Sequence, residues 1–271
     1  MKFPAFRATV IPVIFVCIFY VLSCCTPGRA ESPEEKGRAI AVEAERRDQG
    51  FGDLTAELVM ILRNRSGQKS RRELTYKVLE VKGDGDKTLL IFHTPPDVKG
   101  TALLSFSHKT GDDDQWLYLP ALKRVKRISS RNKSGSFMGS EFSYEDISGQ
   151  ETEKYTYKYL RDETLDGHDC TVVDYYPIDR KNSGYSRQTV WLDKDEYRIR
   201  KAEFYDRRNS HLKTLTLTDY EQYLGKYWRA GKLHMVNHQN GKSTVLLYNN
   251  YRFQTGLQEK DFHRNSLRRA R

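Results

Sequence analysis

A mainly β fold, closed or nearly closed into one strongly bent sheet, is predicted by three observations. From Leu54 onward apolar and polar residues alternate with period two, the signature of strands with one buried face. About a dozen such short runs follow one another, separated by turn chemistry rather than helical segments, and a sheet that large curls or closes. No linker interrupts the series within the 271 residues, so the strands belong to one domain.

The elements begin after a leader. Lys2 and Arg7 precede an apolar run from Ala8 to Leu22, and small residues at Gly28 and Ala30 permit cleavage before Glu31, so residues 1–30 read as a secretory signal and 31–271 as the mature domain. The run is shorter than the ~20 residues a membrane-spanning helix needs and holds Pro12, which makes an uncleaved anchor the weaker reading. A third reading places a lipid on Cys24, behind the small Ser23, which would tether the protein to a membrane. Of four cysteines, Cys17, Cys24 and Cys25 lie in this segment. Cys170 alone remains, so no internal disulfide staples the domain, and its strand-like surroundings favour a buried small hydrophobe over a nucleophile.

Ser32-Pro33-Glu34-Glu35 is a helix start: a hydroxyl cap, proline where no donor is needed, and Glu35 placed to close a capping box. The helix ends near Asp48, with Gly50 at its exit. Leu54, Ala56, Leu58, Met60 and Leu62 then form one face of a strand, and Arg65-Ser66-Gly67-Gln68 turns the chain into Leu74, Tyr76 and Val78. Further strands are expected at 87–93, 101–108, 115–119, 154–160, 170–176, 187–192, 198–205, 213–217, 233–237 and 244–248. The links G-D-G-D, T-G-D-D-D, L-D-G-H, D-K-D-E, R-R-N-S and H-Q-N-G-K carry turn residues. The longest break in the pattern runs from Pro120 to Gln150 and holds six cations followed by Gly135, Phe137, Met138 and Gly139. Loops of this length are often lids or binding loops, and the aromatic content of this one argues against plain disorder.

Charge and motifs narrow the function. Setting aside Lys2, Arg7 and Arg29 leaves 43 basic against 36 acidic residues, a net +7. In an exported protein this excess suits anionic lipid head groups or an acidic partner rather than nucleic acid, and a merely well-hydrated surface is the competing explanation. His234 and His238 have the spacing of a helical zinc pair, but their flanks read as strand, where four residues span about 13 Å. Ser130-Arg131-Asn132-Lys133 matches a bare Ser-x-x-Lys without companion motifs. The acidic turns at 83–86 and 112–114 lack the spaced ligands of a calcium loop. No nucleophile, base and orienting partner can be assembled, which points away from an enzyme, and no cofactor or metal is implied. Tyr155, Tyr157 and Tyr159 share one strand face, either as a cross-strand aromatic ladder or as part of a cavity lining.

The block from Pro95-Pro96-Asp97-Val98-Lys99-Gly100-Thr101, through D-D-D-Q-W-L-Y-L-P-A-L-K-R-V-K-R-I, to S-G-S-F-M-G-S-E-F-S-Y-E-D resembles the bacterial outer-membrane lipoprotein-sorting proteins of the LolA/LolB-like superfamily. The resemblance covers most of the chain from about Glu34 to Leu267. It implies a single incomplete antiparallel β-barrel around an apolar cavity, with an N-terminal helix and a helix or loop as lid. It also implies a periplasmic, non-catalytic carrier of an acylated lipid or lipoprotein. On that reading Leu54, Leu58, Met60, Leu62, Leu74, Tyr76, Leu117, Leu119, Val190 and Leu192 line the cavity wall. Phe137 and Met138 cover its mouth, and Lys123, Arg124, Lys126 and Arg127 attract a head group or a partner. The basic insert is not a hallmark of the carriers. The alternative is therefore a periplasmic adaptor for an inner-membrane exporter of the resistance-nodulation-division type, with peripheral or lipid-anchored membrane contact through Cys24.

Overall fold

In the computed structural model, residues 1–2 and 30–269 are described. Residues 3–29, which hold most of the segment read as a signal and Cys24, fall outside the described residues. Glu31–Arg271 forms one compact unit.

The first element is helix α1, Pro33–Asp48, and its capping box is present: Ser32 Oγ accepts from Glu35 N at 3.1 Å while Ser32 N donates to Glu35 Oε2 at 2.8 Å. Thirteen strands follow: β1 (Asp53–Arg63), β2 (Lys69–Leu79), β3 (Lys87–Thr94), β4 (Ala102–Phe106), β5 (Asp114–Leu119), β6 (Arg124–Ile128), β7 (Tyr155–Leu165), β8 (His168–Pro177), β9 (Tyr185–Asp193), β10 (Ile199–Asp206), β11 (His211–Tyr223), β12 (Tyr227–Asn237) and β13 (Ser243–Phe253). They form a single antiparallel sheet in the order β6-β5-β4-β3-β2-β1-β13-β12-β11-β10-β9-β8-β7. Each strand therefore pairs with its chain neighbour, except that β13 returns to β1, with Leu58 opposite Tyr248. β6 and β7 remain as unjoined edges, so the barrel is incomplete, and residues 129–154 connect one edge to the other.

The strand series matches the sequence pattern except between Pro120 and Gln150, where a continuous break is expected. That stretch holds β6 and a four-residue helix, α2 (Tyr144–Ile147). β6 escapes the pattern because it is an edge strand of sequence R-V-K-R-I, and cations on an edge protect it from pairing with another chain while masking its alternation.

The inward face of β1 is Leu54, Ala56, Leu58 and Met60, all nearly inaccessible. Leu58 and Met60, together with Leu74, Phe92, Leu103, Val190, Leu192, Met235 and Leu246, build the core on the concave side, where Ile40 and Ala41 of α1 join them, while Leu54 clusters with Phe51, Val78 and Tyr227. α1 comes that close because it carries Gly37 against β7: a Cβ there would lie 2.7 Å from Tyr159 N. The outward residues of β3 and β4, Leu89, Ile91, Ala102 and Leu104, are covered by Phe262 and Leu267 of the C-terminal segment. Cys170 is fully buried with Val172 and Trp191.

The insert between the edges is tied down at many points. Ser143 caps α2 through a second capping box with Asp146. Asp146 also accepts from Lys213 Nζ at 2.6 Å and Tyr185 Oη at 2.7 Å, and both partners of the ion pair are under a tenth exposed. Glu145 accepts from Ser183 Oγ at 2.5 Å and Gly184 N at 2.9 Å. On the other wing Arg72 Nη1 donates to the Met138 carbonyl at 2.6 Å, and Gln115 Nε2 donates to the Tyr144 carbonyl at 3.0 Å. Lys213 must leave water to make its pair, and such a buried pair persists only with good geometry and further hydrogen bonds. Here Lys213 also donates to the Glu141 carbonyl at 3.0 Å.

Candidate binding cavity

The insert fills the concave side at one end of the strands. Phe137 is fully buried there and meets Phe92 at 5.8 Å and Tyr144 at 5.7 Å between ring centroids. At the opposite end, beneath the C-terminal half of α1, the interior stays open as a cavity of about 1370 Å³. Its wall contains Leu54, Leu192, Ile199, Leu217 and Leu233, and Ala41 and Ala44 of α1 face it. Val78, Val81 and Ala230 add to this surface, and the remainder of its apolar lining is aromatic. Tyr76 and Tyr248 meet edge to face at 5.4 Å, Tyr248 and Tyr251 stack at 5.7 Å, and Tyr157 and Tyr175 meet at 4.7 Å.

A local irregularity brings two of these tyrosines together. Tyr248 and Tyr251 are three residues apart, and strict alternation would send them to opposite faces. The β1–β13 register shifts between Thr55 and Glu57, and Asn250 adopts φ +53°. This bulge turns both rings into the cavity.

The rim is charged on both signs. Arg229 pairs with Asp48 and lies over the Phe51 ring at 5.1 Å, while Lys226 Nζ donates to the Gln49 carbonyl at 2.8 Å. Glu45 accepts from Lys109 Nζ at 2.9 Å and Thr152 Oγ1 at 2.5 Å. Arg198, on the wall, and Arg200 both donate to the buried Asp193 at 2.8 Å. Asp86 has no such cation: burial, reinforced by the nearby carboxylates of Glu151, Glu80 and Asp48, pushes its carboxyl up to about 7, against one opposing bond from Val81 N. Burial likewise pushes the Tyr76 hydroxyl up to about 12 and raises those of Tyr155, Tyr157, Tyr175 and Tyr248 further, so all remain donors at neutral pH.

Of the residues expected to line the cavity, Leu54, Tyr76 and Leu192 do. Leu58, Met60, Leu74, Leu117 and Val190 belong to the packed core below it, with Leu62 and Leu119 partly buried against that core. Phe137 and Met138, expected at the mouth, require correction. They lie at the far end, because the insert is bonded to β2, β9 and β11 and its apolar residues fill the interior there. Lys123, Arg124, Lys126 and Arg127 sit at β6 and the turn before it, outside the cavity wall. Lys123 adopts φ +50°, and Arg127 pairs with Asp114 at 2.6 Å. Expected to attract a head group or a partner, these four cations lie on the exposed sheet edge and not among the cavity-lining residues.

The other motifs have local partners. Asp84 accepts from the His108 ring at 2.8 Å, which together with Lys109 N holds its carboxyl down at about 2. Thr214 bonds both His211 and His238, and Ser130 Oγ donates to Asp112 at 2.5 Å. Among the described residues three carboxylates, Glu45, Glu151 and Glu153, gather closely enough for a cation. Lys109 already lies 2.9 Å from Glu45 and 3.5 Å from Glu153. Tyr155 and Tyr157 line the cavity as one of the two sequence readings allowed. Tyr175, Tyr248, Tyr251 and the leucines of β11 and β12 were not among the expected lining residues, and the only signal in their favour was the density of tyrosine.

Comparison with known proteins places this architecture. Residues 84–269 match a family model whose description reads "uncharacterized protein". A domain from Vibrio parahaemolyticus described as belonging to an outer membrane lipoprotein-sorting protein is 59% identical, with TM-score 0.85 over 87% of this chain and 99% of that one. A DUF1329 family protein from Desulfovibrio piger is 32% identical, with TM-score 0.82 over 87% and 99%. A LolA superfamily protein from Nitrosomonas europaea shares the fold at 22% identity, with TM-score 0.67 over 84% and 98%. The chain has no match among curated proteins. On the strength of the Vibrio parahaemolyticus and Desulfovibrio piger relatives the chain belongs to the family of the outer membrane lipoprotein-sorting protein domain, and its open antiparallel sheet under α1 is the fold of the LolA superfamily protein.

Proposed function

We propose that the protein is an exported, periplasmic lipid-binding protein that shelters the acyl chains of a lipid or lipoprotein and catalyses no reaction. The observation that carries this reading is the cavity of about 1370 Å³ beneath α1, walled by leucines and tyrosines and larger than the ~300–1,000 Å³ of ordinary small-molecule pockets. Each methylene moved from water into such a space gains ~0.8 kcal/mol, so a long chain supplies enough free energy to offset ordering of the lipid. Leu54, Tyr76 and Leu192 touch the chains; Leu58, Met60, Leu74 and Val190 form the packed floor. α1, not the insert, acts as the cover. The relatives described as lipoprotein-sorting and LolA superfamily proteins support the ligand class. Export through residues 1–30, with either cleavage before Glu31 or lipidation of Cys24, belongs to the same proposal.

Native mass spectrometry of residues 31–271 purified from a bacterial periplasm, followed by lipid extraction, tests it. A stoichiometric acylated ligand released on denaturation is expected. A clean apo mass that persists after incubation with envelope lipids and lipopeptides would refute it.

A second reading rests on a different surface. Leu122 is 63% exposed at the β5–β6 turn, beside the exposed Lys123, Arg124 and Lys126, and this tip fits an adaptor that docks on an envelope exporter. Crosslinking from position 122 to a membrane protein in cells, retained when the cavity is blocked, is the outcome that would favour it.

A further inference from the structure

Three tyrosines of the cavity wall carry hydroxyls that the fold leaves unused. The hydroxyls of other wall tyrosines are tied to the main chain: Tyr157 donates to the Thr152 carbonyl at 2.9 Å and Tyr220 to the Ile199 carbonyl at 2.7 Å. Among the described residues, no side chain or backbone group bonds the hydroxyl of Tyr76, Tyr175 or Tyr248, although all three line the cavity. Tyr175 is 6% exposed. A phenol whose hydroxyl is sealed from both water and partners costs stability, and the two buried side-chain polar atoms left without either are Arg72 Nε and Trp228 Nε1, not these hydroxyls. The three hydroxyls therefore open onto the cavity itself.

Their positions lie on two sides of the space. Tyr76 on β2 and Tyr248 on β13 flank β1 and touch each other, while Tyr175 on β8 belongs to the wall beneath α1 with Tyr157. Burial keeps all three protonated, so each presents a donor and none presents a charge. A pocket meant only for hydrocarbon would be served better by phenylalanine, which fills the same volume without a polar atom to satisfy.

We infer that this cavity selects acyl lipids by the carbonyl oxygens of their ester or amide linkages, which accept hydrogen bonds from Tyr76, Tyr175 and Tyr248 inside the cavity. The inference rests on the lipid-binding reading and deepens it: the linkage region of the ligand enters the barrel with its chains, and only the head group reaches the charged rim.

Competition against N-phenyl-1-naphthylamine in the cavity of residues 31–271 tests it with two probes of equal chain length. These are 1,2-dioctanoyl-sn-glycerol, which has two ester carbonyls, and 1,2-di-O-octyl-sn-glycerol, which has ethers in their place. The wild type is expected to prefer the diester by about tenfold, the scale of one or two net hydrogen bonds. The variant Tyr76→Phe/Tyr175→Phe/Tyr248→Phe is expected to lose that preference, its diester-to-diether affinity ratio falling to about one. Equal displacement by both lipids in the wild type, or a preference that survives in the triple variant, overturns the assignment but leaves lipid binding standing. Displacement by neither lipid, with the naphthylamine bound, overturns the lipid-binding reading as well. If the triple variant does not fold, Tyr248→Phe alone is expected to reduce the preference about threefold, and an unchanged ratio there counts against the inference.

Discussion

The two ends of the barrel interior are built from similar residue types and solve opposite problems. At the plugged end the buried carboxylates have found partners: Asp146 is held by Lys213, Tyr185 and Ser143, and Glu145 by Ser183 and Gly184, while Arg72 bonds the Met138 carbonyl through Nη1 and leaves only its Nε unpaired. Phe137 occupies the apolar volume between them. At the cavity end leucines and tyrosines share the wall with many charged residues, the volume is unfilled, three tyrosine hydroxyls have no partner among the described residues, and the buried Asp86 carboxyl has only the bond from Val81 N. The two ends differ in how far their apolar volume is filled and their buried carboxyl groups are bonded, and the open end is the one proposed to bind.

The sharpest way to break this contrast is to cut the plug. Lys213→Ala leaves Asp146 buried without its cation, and truncating one partner of such a pair costs about 3–5 kcal/mol; urea unfolding should show a loss of that size. An effect under 1 kcal/mol would mean that the insert is held by its other contacts and that the two ends differ less than the bonding implies.

The next largest effect is expected at α1. Gly37→Val places a side chain where backbone atoms of β7 lie at 2.7–3.0 Å, so the helix must lift. A stability loss of about 1–3 kcal/mol is expected from overpacking, accompanied by faster release of a bound naphthylamine probe. Slower or unchanged release would argue that α1 is not the cover.

Asp86 tests the cavity end through pH. Its folded carboxyl titrates near 7, above the unfolded value of 3.8, so the native state binds the extra proton between these two values. Stability contributed by the protonated form is therefore full below about pH 4, falls as pH rises, and is gone above about 7. Asp86→Asn should raise stability at pH 8 by on the order of 2 kcal/mol after allowance for solvent screening, and leave it nearly unchanged at pH 4. Parallel urea titrations of the two proteins at both values check the sign; destabilisation at pH 8 would show that the bond from Val81 N outweighs the cost of burying the carboxylate.

The smallest effect separates the ends most cleanly. Tyr248→Phe removes a hydroxyl that makes no bond within the fold, so its stability change should stay within about 0.5 kcal/mol. Tyr185→Phe at the plug removes the bond to Asp146 at 2.7 Å and should cost about 1–3 kcal/mol. Equal costs would erase the distinction.

Much of this molecule was legible in local sequence. Ser32 and Glu35 mark the start of α1, the alternation from Leu54 to Leu62 marks β1, and the Gly67 turn sets the β1–β2 hairpin. These are short-range effects, set by capping and by the alternation of side chains across a pleated strand. β6 was hidden because an edge strand obeys a requirement to avoid pairing rather than a requirement to bury one face. The inward parity of Leu54, Leu58, Met60 and Leu74 also followed from the pattern. Which of them meets an open space and which meets a neighbour did not, since that depends on what fills the volume opposite. The plug, delivered by a chain segment more than sixty residues away, fills it around Met60 and Leu74; α1 only bridges it above Leu54 and Tyr76. The β13 bulge that gathers Tyr248 and Tyr251 is likewise a matter of register against β1, nearly two hundred residues earlier. Sequence periodicity determined the strands and their inward faces, because each depends on neighbours a few residues apart; the cavity was decided by long-range register and by the placement of plug and helix, because a void is defined by what the rest of the chain leaves unfilled.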